Sequence, residues 1–355
     1  MKNILIINPF GIGDVLFTSP VICAIKLKFP DSYIAYLCSC QVSPLLKDNP
    51  AVNELMFFSR GEFKKVKSKS LLKAGIFLLR AVSQLRSRKF DLVVDLSLVT
   101  QYSFIMKLIG IPERWGFDYK NRGMFLTHKI RIDSFSGKHV IEYYRDLLNK
   151  MGIKDFYPRT ELHLDKDAEI WADDFLKRNG VSHDDLLIGV SAFGGDSWGE
   201  HAANKHWPIE KFAAVIKVLI EKHKAKVVFF GLEKDKAELD EICKSINYPE
   251  AINAAGKTDL GQLAALISCL DVFIGNDSGT LHMASALDIK TISIFGPVDE
   301  QVYGPVGDAK LNLILKKDMK CRPCYKNFKK PLCRTMDCLE QITEQDLLKA
   351  VESIL

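Results

Sequence analysis

The sequence predicts an α/β fold made of two Rossmann-like halves, each with a parallel sheet covered by helices. Short apolar runs alternate with amphipathic helical patterns along the chain, which is typical of parallel sheets with helices on both faces. Two runs, MKNILIINPFGIGD at the start and DDLLIGVSAFGG from residue 184, each look like the first strand of a new α/β unit. We therefore expect residues 1–160 to form one domain and residues 161–355 the other.

Apolar runs of four to six residues are the predicted strands, and longer stretches with helical spacing are the predicted helices. The expected strands cover residues 4–7, 33–38, 54–58, 91–95, 186–190, 226–230, 271–275 and 291–295. Helices are expected at 70–88, 166–179 and 344–355, the last able to pack on either half. Because such sheets bind ligands at the carboxyl ends of their strands, a cleft between the halves is the expected site.

Composition indicates an ordinary globular protein. The chain has 355 residues, 47% hydrophobic and 26% charged, which is enough for two substantial cores. No apolar run approaches the roughly 18 to 20 residues that span a bilayer, and the first apolar stretch is too short for a signal-peptide core. We therefore expect a cytoplasmic protein.

Positive charge is unevenly distributed, although the net charge is only +5. Between Arg60 and Lys89 there are ten Lys or Arg against one acid, Glu62, which favours an anionic partner. The helix predicted here carries apolar residues at helical spacing: Leu72, Ile76, Leu79, Val82 and Leu85. It either packs on the sheet or lies on an anionic membrane surface, and lysines 64, 65, 67 and 69 just before it suit the second alternative. We expect no nucleic-acid partner.

The turn NPFGIGDVLFTSP, residues 8–20, follows the first strand as a dinucleotide-binding turn would. It has Leu16 where the third glycine of that fingerprint belongs, and no acidic residue closes the next strand. Asp14 also occupies the helix start, where a carboxylate would repel a pyrophosphate. The turn instead exposes a carboxylate that is ionised at neutral pH, because the ordinary pKa of Asp is about 3.9.

A phosphate site is predicted in GNDSGTLHMASAL, residues 275–287, which follows a strand and opens a helix. Residues 278–280 lie at the expected helix N-terminus, where free N–H groups and the helix dipole attract phosphate. Asp277 either caps this helix or accepts a hydrogen bond from a ligand hydroxyl or amine. His282 falls one turn inside the helix and faces the same mouth.

Two further stretches favour the same site. SAFGG at 191–195 follows a strand, and KHWP at 205–208 places Lys205 just before a helix, as a partner for a leaving diphosphate or as an ordinary exposed lysine. The loop FGPVDEQVYGP, residues 295–305, is placed to close over a nucleotide.

Together, IGDVLFTSP, KHWP, NDSGTLHMASAL and IFGPVDEQVYGP resemble glycosyltransferase family 9, the ADP-heptose:lipopolysaccharide heptosyltransferases, over nearly the whole chain. The resemblance implies a GT-B fold with the acceptor on the N-terminal domain and the donor on the C-terminal one. It also implies an inverting, metal-independent transfer of heptose from ADP-heptose to the inner core of lipopolysaccharide, a phosphorylated, lipid-linked acceptor, at the inner face of the inner membrane.

The resemblance also assigns roles by position. Asp14 would be the general base, with Gly13 beside it leaving room for the acceptor, and Arg122 would contact the acceptor. Lys205 would contact the donor phosphates and support catalysis. The remaining donor-binding positions implied by the family are Ser191, Glu233, Thr258, Asp277, Ser278, Gly279 and His282.

No cofactor is expected for catalysis. Many glycosyltransferases hold a metal on an Asp-x-Asp motif, and the one here, at 165–167, lies at a predicted helix start where acids favour capping. The cysteines form a C-x2-C-x8-C-x4-C pattern at Cys321, Cys324, Cys333 and Cys338, which allows structural zinc, free thiols or disulfides. Lysines at 316, 317, 320, 326, 329 and 330 add a second basic patch, either solvated or facing an anionic partner.

Two alternatives to heptose transfer remain from the residues alone. A GT-B enzyme using another nucleotide sugar would have the same phosphate site. A non-catalytic nucleotide-sugar binding protein would keep the fold, although it would have no need of Asp14.

Overall fold

The computed structural model describes residues 2–58, 66, 68–333 and 335–355. The chain divides into two compact units, Met1–Pro158 and Arg159–Leu355, where the sequence suggests a boundary after residue 160. Five of the charged residues in the basic stretch lie outside the described residues: Arg60, Glu62, Lys64, Lys65 and Lys67.

The first unit contains a six-stranded parallel sheet in the order β3-β2-β1-β4-β5-β6. Its strands are β1 Asn3–Ile7, β2 Tyr33–Cys38, β3 Glu54–Phe57, β4 Leu92–Asp95, β5 Glu113–Tyr119 and β6 His128–Ile132. Its α-helices are α1 Ile12–Leu16, α2 Ser19–Lys28, α3 Leu71–Ser87, α4 Thr100–Leu108 and α5 Val140–Lys150, with a 3₁₀ helix at Cys40–Leu45.

The second unit repeats this architecture with a parallel sheet in the order β12-β11-β10-β7-β8-β9. Its strands are β7 Leu187–Ser191, β8 Lys226–Phe229, β9 Ala251–Asn253, β10 Val272–Asn276, β11 Lys290–Ile294 and β12 Asn312–Leu315. Its α-helices are α6 Lys166–Arg178, α7 Ile209–His223, α8 Lys236–Ile246, α9 Leu260–Ser268, α10 Gly279–Ala286, α11 Glu300–Tyr303, α12 Asp337–Glu340 and α13 Glu344–Ile354, with 3₁₀ helices at Asp196–Lys205 and Glu233–Asp235.

The eight strands predicted from apolar runs are confirmed to within two residues at each end. Four strands were missed: β6, β9 and β12 are edge strands, and β5 lies next to an edge. The sequences of β5 and β6, ERWGFDY and HKIRI, carry charges at exposed positions, and β9 and β12 are short edge strands. Strands buried on both faces appear as continuous apolar runs, whereas strands with a solvent-facing side do not.

The C-terminal helix α13 packs on the second unit. Leu347, Val351 and Ile354 lie in its hydrophobic core, and the Thr343 hydroxyl caps the helix by accepting a hydrogen bond from Asp346 N. Burying side chains of this size stabilises the fold by about 1.5 to 3 kcal/mol each. Of the two halves on which this helix could pack, the structure therefore shows the second.

Helix α3 is only partly packed. Leu85 near its end is buried at 6% exposure, but four large apolar residues nearer its start are exposed: Leu71, Leu72, Ile76 and Leu79. The end of the helix therefore packs on the sheet, as one of the two alternatives expects, and its first turns are exposed. Within the described ranges, no helix combines the length and the apolar character that crossing a bilayer requires.

Asp95 is a buried carboxyl group at the carboxyl end of β4, next to Ile7 at the end of β1. It accepts hydrogen bonds from Ser97 N at 3.0 Å and from Ser97 Oγ. Burial raises the pKa of Asp95 to about 6, against its ordinary 3.8, and the two bonds from Ser97 offset only part of that shift. Ionised Asp95 is therefore a cost to the fold at neutral pH.

We expect Asp95→Asn to stabilise the protein at pH 7, because the amide oxygen still accepts from Ser97 and carries no charge. A carboxyl with a raised folded-state pKa favours folding below pH 3.8, and this contribution is lost as the pH rises through about 6. The gain at pH 7 is at most about 3 kcal/mol, from about 1.4 kcal/mol per pKa unit. Urea unfolding at pH 7 and pH 4 measures the change in the free energy of unfolding. A gain of equal size at both pH values would contradict the raised pKa of Asp95.

Candidate functional site

Three sequence motifs meet at the carboxyl edge of the second sheet. A Cβ atom on Gly194 would lie 2.7 Å from the Ser278 Cβ, and one on Gly195 would lie 3.3 Å from the Lys205 Cδ. Both glycines have positive φ, 123° and 73°, which other residues rarely adopt. The structure thus brings SAFGG, KHWP and NDSGT together in the second unit, and their function as one binding site stays a prediction.

Asn276, at the end of β10, joins these motifs. Its Nδ2 donates to the carbonyl of Ala192 at 2.6 Å, and its Oδ1 accepts from Trp207 N at 3.0 Å. The side chain is 1% exposed, so both bonds form away from water, where leaving either group unpaired would be costly. His206 adds a bond of 2.7 Å between Nε2 and the carbonyl of Gly194.

Lys205 and Asp277 form a buried ion pair at the start of helix α10. The Lys205 Nζ lies 2.6 Å from the Asp277 Oδ2, and the two side chains are 11% and 6% exposed. The His282 Nε2 lies 4.0 Å from the other carboxylate oxygen. The alternative of an ordinary exposed lysine is therefore wrong.

Asp277 does not cap helix α10, contrary to one of its two predicted roles. The N-cap residue is Ser278, and its side chain makes no capping bond. Asp277 pairs instead with the ammonium of Lys205, and its other predicted role, accepting a hydrogen bond from a ligand hydroxyl or amine, stays a prediction.

Hydroxyl groups lie at the first turn of α10. The Thr280 Oγ1 donates to the Ser191 Oγ at 3.0 Å and lies 2.8 Å from the Ser278 Oγ. Because no side chain caps the helix, the N–H groups beside Gly279 point to this mouth together with the positive end of the helix dipole. The arrangement favours an anion with several oxygen atoms.

Trp198 lies against the Lys205 ammonium. The Lys205 Nζ is 5.0 Å from the centroid of its indole ring, and Trp198 is 6% exposed. The two residues belong to the 3₁₀ segment Asp196–Lys205, which also contacts Lys234 through Asp196. A cation over an indole face gains about 0.5 to 2 kcal/mol.

Glu233 and Thr258 lie on neighbouring loops at the same sheet edge, after β8 and β9. A Cβ on Gly256 would come within 1.9 Å of the Glu233 Oε2, so this glycine leaves space for that carboxylate. Thr258 follows two residues later and is half-buried, while the Glu233 side chain is 74% exposed. Two of the predicted donor-binding positions thus lie on adjacent loops.

In the first unit, Asp14 lies in the first turn of the short helix α1 and is exposed. Asn8 donates from Nδ2 to the Asp14 carbonyl at 3.0 Å, and a Cβ on Gly11 would be 3.9 Å from its Oδ2. Burial raises the pKa of Tyr36 and of Tyr144 well above the usual range, and the Asp14 charge adds to both shifts. The negative charge of Asp14 therefore acts on two buried tyrosines.

Arg122 follows β5, at the same sheet edge as the Asp14 turn. Its guanidinium lies 5.2 Å from the ring of Tyr119, and its side chain is exposed. Gly123 N donates to Asp118 Oδ1 at 2.9 Å and fixes the turn. Gly13 is half-buried in helix α1, one residue before Asp14.

The four cysteines of the C-terminal pattern are thiols in the structure. Among the four of the C-terminal pattern, Cys321 is exposed and Cys338 is buried, and burial raises the pKa of Cys324 and Cys338. Backbone N–H groups at 335 and 336 lower the pKa of Cys333. No set of three or more His, Cys, Asp or Glu side chains in the described ranges is gathered as metal ligands, and structural zinc stays a prediction.

Half of the second basic patch is used inside the unit. The Lys316 ammonium pairs with Glu300, Lys317 lies 2.8 Å from Asp346, and Lys330 donates to the Trp198 carbonyl at 2.6 Å. The loop 295–305 begins with four buried residues, 295–298, and its closing over a nucleotide stays a prediction.

Sequence reasoning missed Asn276 and Trp198. The first stands inside the motif GNDSG, where it looks like the last residue of a strand. The second stands in GGDSWGEH, a polar and glycine-rich stretch typical of an exposed loop. A tryptophan in such a stretch was the available signal for a buried contact.

Comparisons with known proteins agree with this geometry. The model of glycosyltransferase family 9 (heptosyltransferase) matches residues 78–332. Lipopolysaccharide heptosyltransferase 3 of Escherichia coli (strain K12) is 27% identical over 351 residues, 97% of this chain and 95% of that protein.

Two solved structures share the fold at 23% sequence identity. The family 9 glycosyltransferase of Veillonella parvula superposes with a TM-score of 0.82, covering 99% of this chain and 97% of its own. E. coli ADP-heptose lps heptosyltransferase II superposes with a TM-score of 0.75, covering 100% and 98%. The fold is GT-B, with two Rossmann-like domains.

The family match extends over more than two thirds of the chain and includes the SAFGG, KHWP and NDSGT motifs that form the site in the second unit. The resemblance inferred from the sequence motifs is confirmed. The chain belongs to glycosyltransferase family 9 (heptosyltransferase), and the protein is a glycosyltransferase.

Proposed function

We propose that this protein transfers heptose from ADP-heptose to the inner core of lipopolysaccharide. The observation that carries the proposal is the buried pair of Lys205 and Asp277 at the open start of helix α10. It suits a diphosphate leaving group. Two relatives support the two substrates, since one is a lipopolysaccharide heptosyltransferase and the other an ADP-heptose lps heptosyltransferase.

The proposed reaction is a single displacement. The acceptor hydroxyl loses its proton to the Asp14 carboxylate as its oxygen bonds to the anomeric carbon of the heptose. The bond from that carbon to the diphosphate oxygen breaks, and ADP leaves with the electron pair. Attack opposite to the leaving group inverts the configuration at the anomeric carbon.

The negative charge on the leaving ADP needs nearby positive potential, which fixed cations and helix dipoles can supply. In our proposal Lys205 and the N-terminus of α10 supply it without a metal ion, and hydroxyls of Ser191, Ser278 and Thr280 donate to phosphate oxygens. His282 adds a donor beside Asp277. The Asp-x-Asp motif has a structural role, because Asp165 accepts from Asp167 N and caps helix α6.

The remaining residues bind the two substrates. Glu233 and Thr258, at neighbouring loops, suit the hydroxyl groups of the adenosine ribose. On the first unit, Gly13 gives the acceptor access to Asp14, and Arg122 offers an exposed cation for a phosphorylated core.

The choice of donor is tested by thermal stability. We expect ADP-heptose to raise the Tm by several degrees, because a ligand at 100 times its Kd stabilises the folded state by about 2.7 kcal/mol. A UDP sugar and a GDP sugar at the same concentration serve as controls. A shift with the UDP sugar and none with ADP-heptose would mean a transferase with another donor.

The general base is tested by Asp14→Asn. We expect kcat to fall about 10²- to 10⁴-fold, the usual contribution of a general base, while the Kd for ADP is unchanged. Calorimetric titration with ADP and a coupled assay of ADP release measure the two quantities. Asp31→Asn, at another exposed aspartate of the first unit, is the matched control.

Unchanged turnover in Asp14→Asn would show that another group takes the proton. Donor binding without turnover in the unmodified protein, given a lipopolysaccharide-core acceptor, would favour a non-catalytic binding protein.

We also propose that the protein works at the cytoplasmic face of the inner membrane and contacts anionic lipid through helix α3. The helix contains no acidic residue, and its exposed Leu71, Leu72 and Leu79 stand beside the exposed cations Lys73 and Arg80. Exposed leucines flanked by cations match the interface of an anionic bilayer, where apolar side chains enter and cations meet headgroups.

Membrane contact is tested by vesicle sedimentation with the double variant Leu72→Gln/Leu79→Gln. We expect the unmodified protein to bind vesicles that contain phosphatidylglycerol more tightly than vesicles of pure phosphatidylcholine. This binding should weaken at high salt. The double variant should bind neither kind of vesicle. Leu27→Gln, at an exposed leucine of helix α2, is the control. Equal sedimentation of all three proteins would contradict the proposal.

A further inference from the structure

Residues 319–333, here called the cysteine segment, pack on two loops beside the candidate phosphate site. One loop follows β11, and the other is the 3₁₀ segment that carries Lys205. The Arg322 side chain, 6% exposed, donates to the carbonyls of Gly296 and Val298 and to Glu300 Oε2 at 3.0 Å. Cys324 N and Tyr325 N both donate to the Pro297 carbonyl at 3.0 Å. The segment is therefore fixed to the loop that follows β11, the strand next to β10.

The same segment contacts the 3₁₀ segment that carries Lys205. The Tyr325 ring lies 5.0 Å from the Trp198 ring, and Lys330 donates to the Trp198 carbonyl at 2.6 Å. Asn204 Nδ2 donates to the Pro331 carbonyl at 3.1 Å. Trp198 is thereby enclosed between the cysteine segment and the ammonium of Lys205.

From these contacts we infer that Trp198 is a positioning residue for Lys205, and that Tyr325 of the cysteine segment holds Trp198 in place. The inference rests on the proposed function, in which Lys205 binds the diphosphate of the donor. A free lysine side chain has many rotamers, and selecting one costs up to about 2 kcal/mol. Trp198 and Asp277 together restrict the ammonium to the mouth of helix α10.

The two contacts of the ammonium differ in what they do to its charge. The Asp277 carboxylate neutralises the charge of the Lys205 ammonium, and a diphosphate must compete with this carboxylate for the N–H groups of the ammonium. The indole face attracts the cation through its quadrupole and carries no net charge. Trp198 can therefore keep Lys205 in place when the donor phosphates draw the ammonium from Asp277.

A double-mutant cycle with ADP as the probe tests this coupling. We expect Trp198→Leu to weaken ADP binding roughly fivefold to tenfold, the loss of one buried cation–π contact. In a Lys205→Met background the same change should have no further effect, because the residue it positions is gone. Trp198→Phe keeps an aromatic face and should recover most of the affinity.

The controls separate a structural effect from positioning. Trp115→Leu, in the first unit, should leave the Kd for ADP unchanged, and Tyr325→Leu should weaken ADP binding less than Trp198→Leu does. If Trp198→Leu does not fold, Trp198→Phe and Tyr325→Leu replace it in the double-mutant cycle. Each is then measured with Lys205 present and in the Lys205→Met background. Equal weakening with and without Lys205 would overturn the inference, whereas unchanged ADP affinity in Lys205→Met alone would overturn the role of Lys205 in the proposed function.

Discussion

The carboxamide of Asn276 is the interaction on which the site in the second unit depends. It stands at the end of a central strand and joins the loop after β7 to the segment that leads into helix α7. Both bonds form at 1% exposure, so neither loop can shift without leaving a buried polar group unpaired. The two glycines at 194 and 195 then allow Ser278 and Lys205 to approach the backbone.

This arrangement uses ordinary properties of parallel sheets. The strands β7, β8 and β10 are neighbours, and their carboxyl ends bring together loops separated by up to about ninety residues in sequence. Short motifs that are individually unspecific therefore form one site. The first unit has the same sheet architecture, but its glycine turn carries the Asp14 carboxylate, which would repel a phosphate.

The sequence predicts features that follow from local pattern. Buried strands were visible as apolar runs, and the start of helix α10 was visible as a serine and a glycine after a strand. Contacts between residues far apart in the sequence were not visible in this way. Trp198 is buried by Tyr325 and Lys330, about 130 residues later, and although a tryptophan in GGDSWGEH signals burial, the stretch does not identify these partners. For the same reason the sequence predicted a helix cap or a ligand contact for Asp277 and did not identify Lys205 as its partner.

The buried pair of Lys205 and Asp277 has a physical cost that bears on its role. Removing two charges from water costs several kcal/mol per ion, and their attraction repays this only with good geometry, so such a pair is weak evidence for stability. Replacing it by apolar residues would often be neutral for the fold. In the proposed function the pair serves binding, because the Asp277 carboxylate keeps the ammonium near the start of helix α10 until an anion of greater charge binds. A diphosphate satisfies that condition, since it adds phosphate oxygens for the helix N–H groups that Asp277 does not contact.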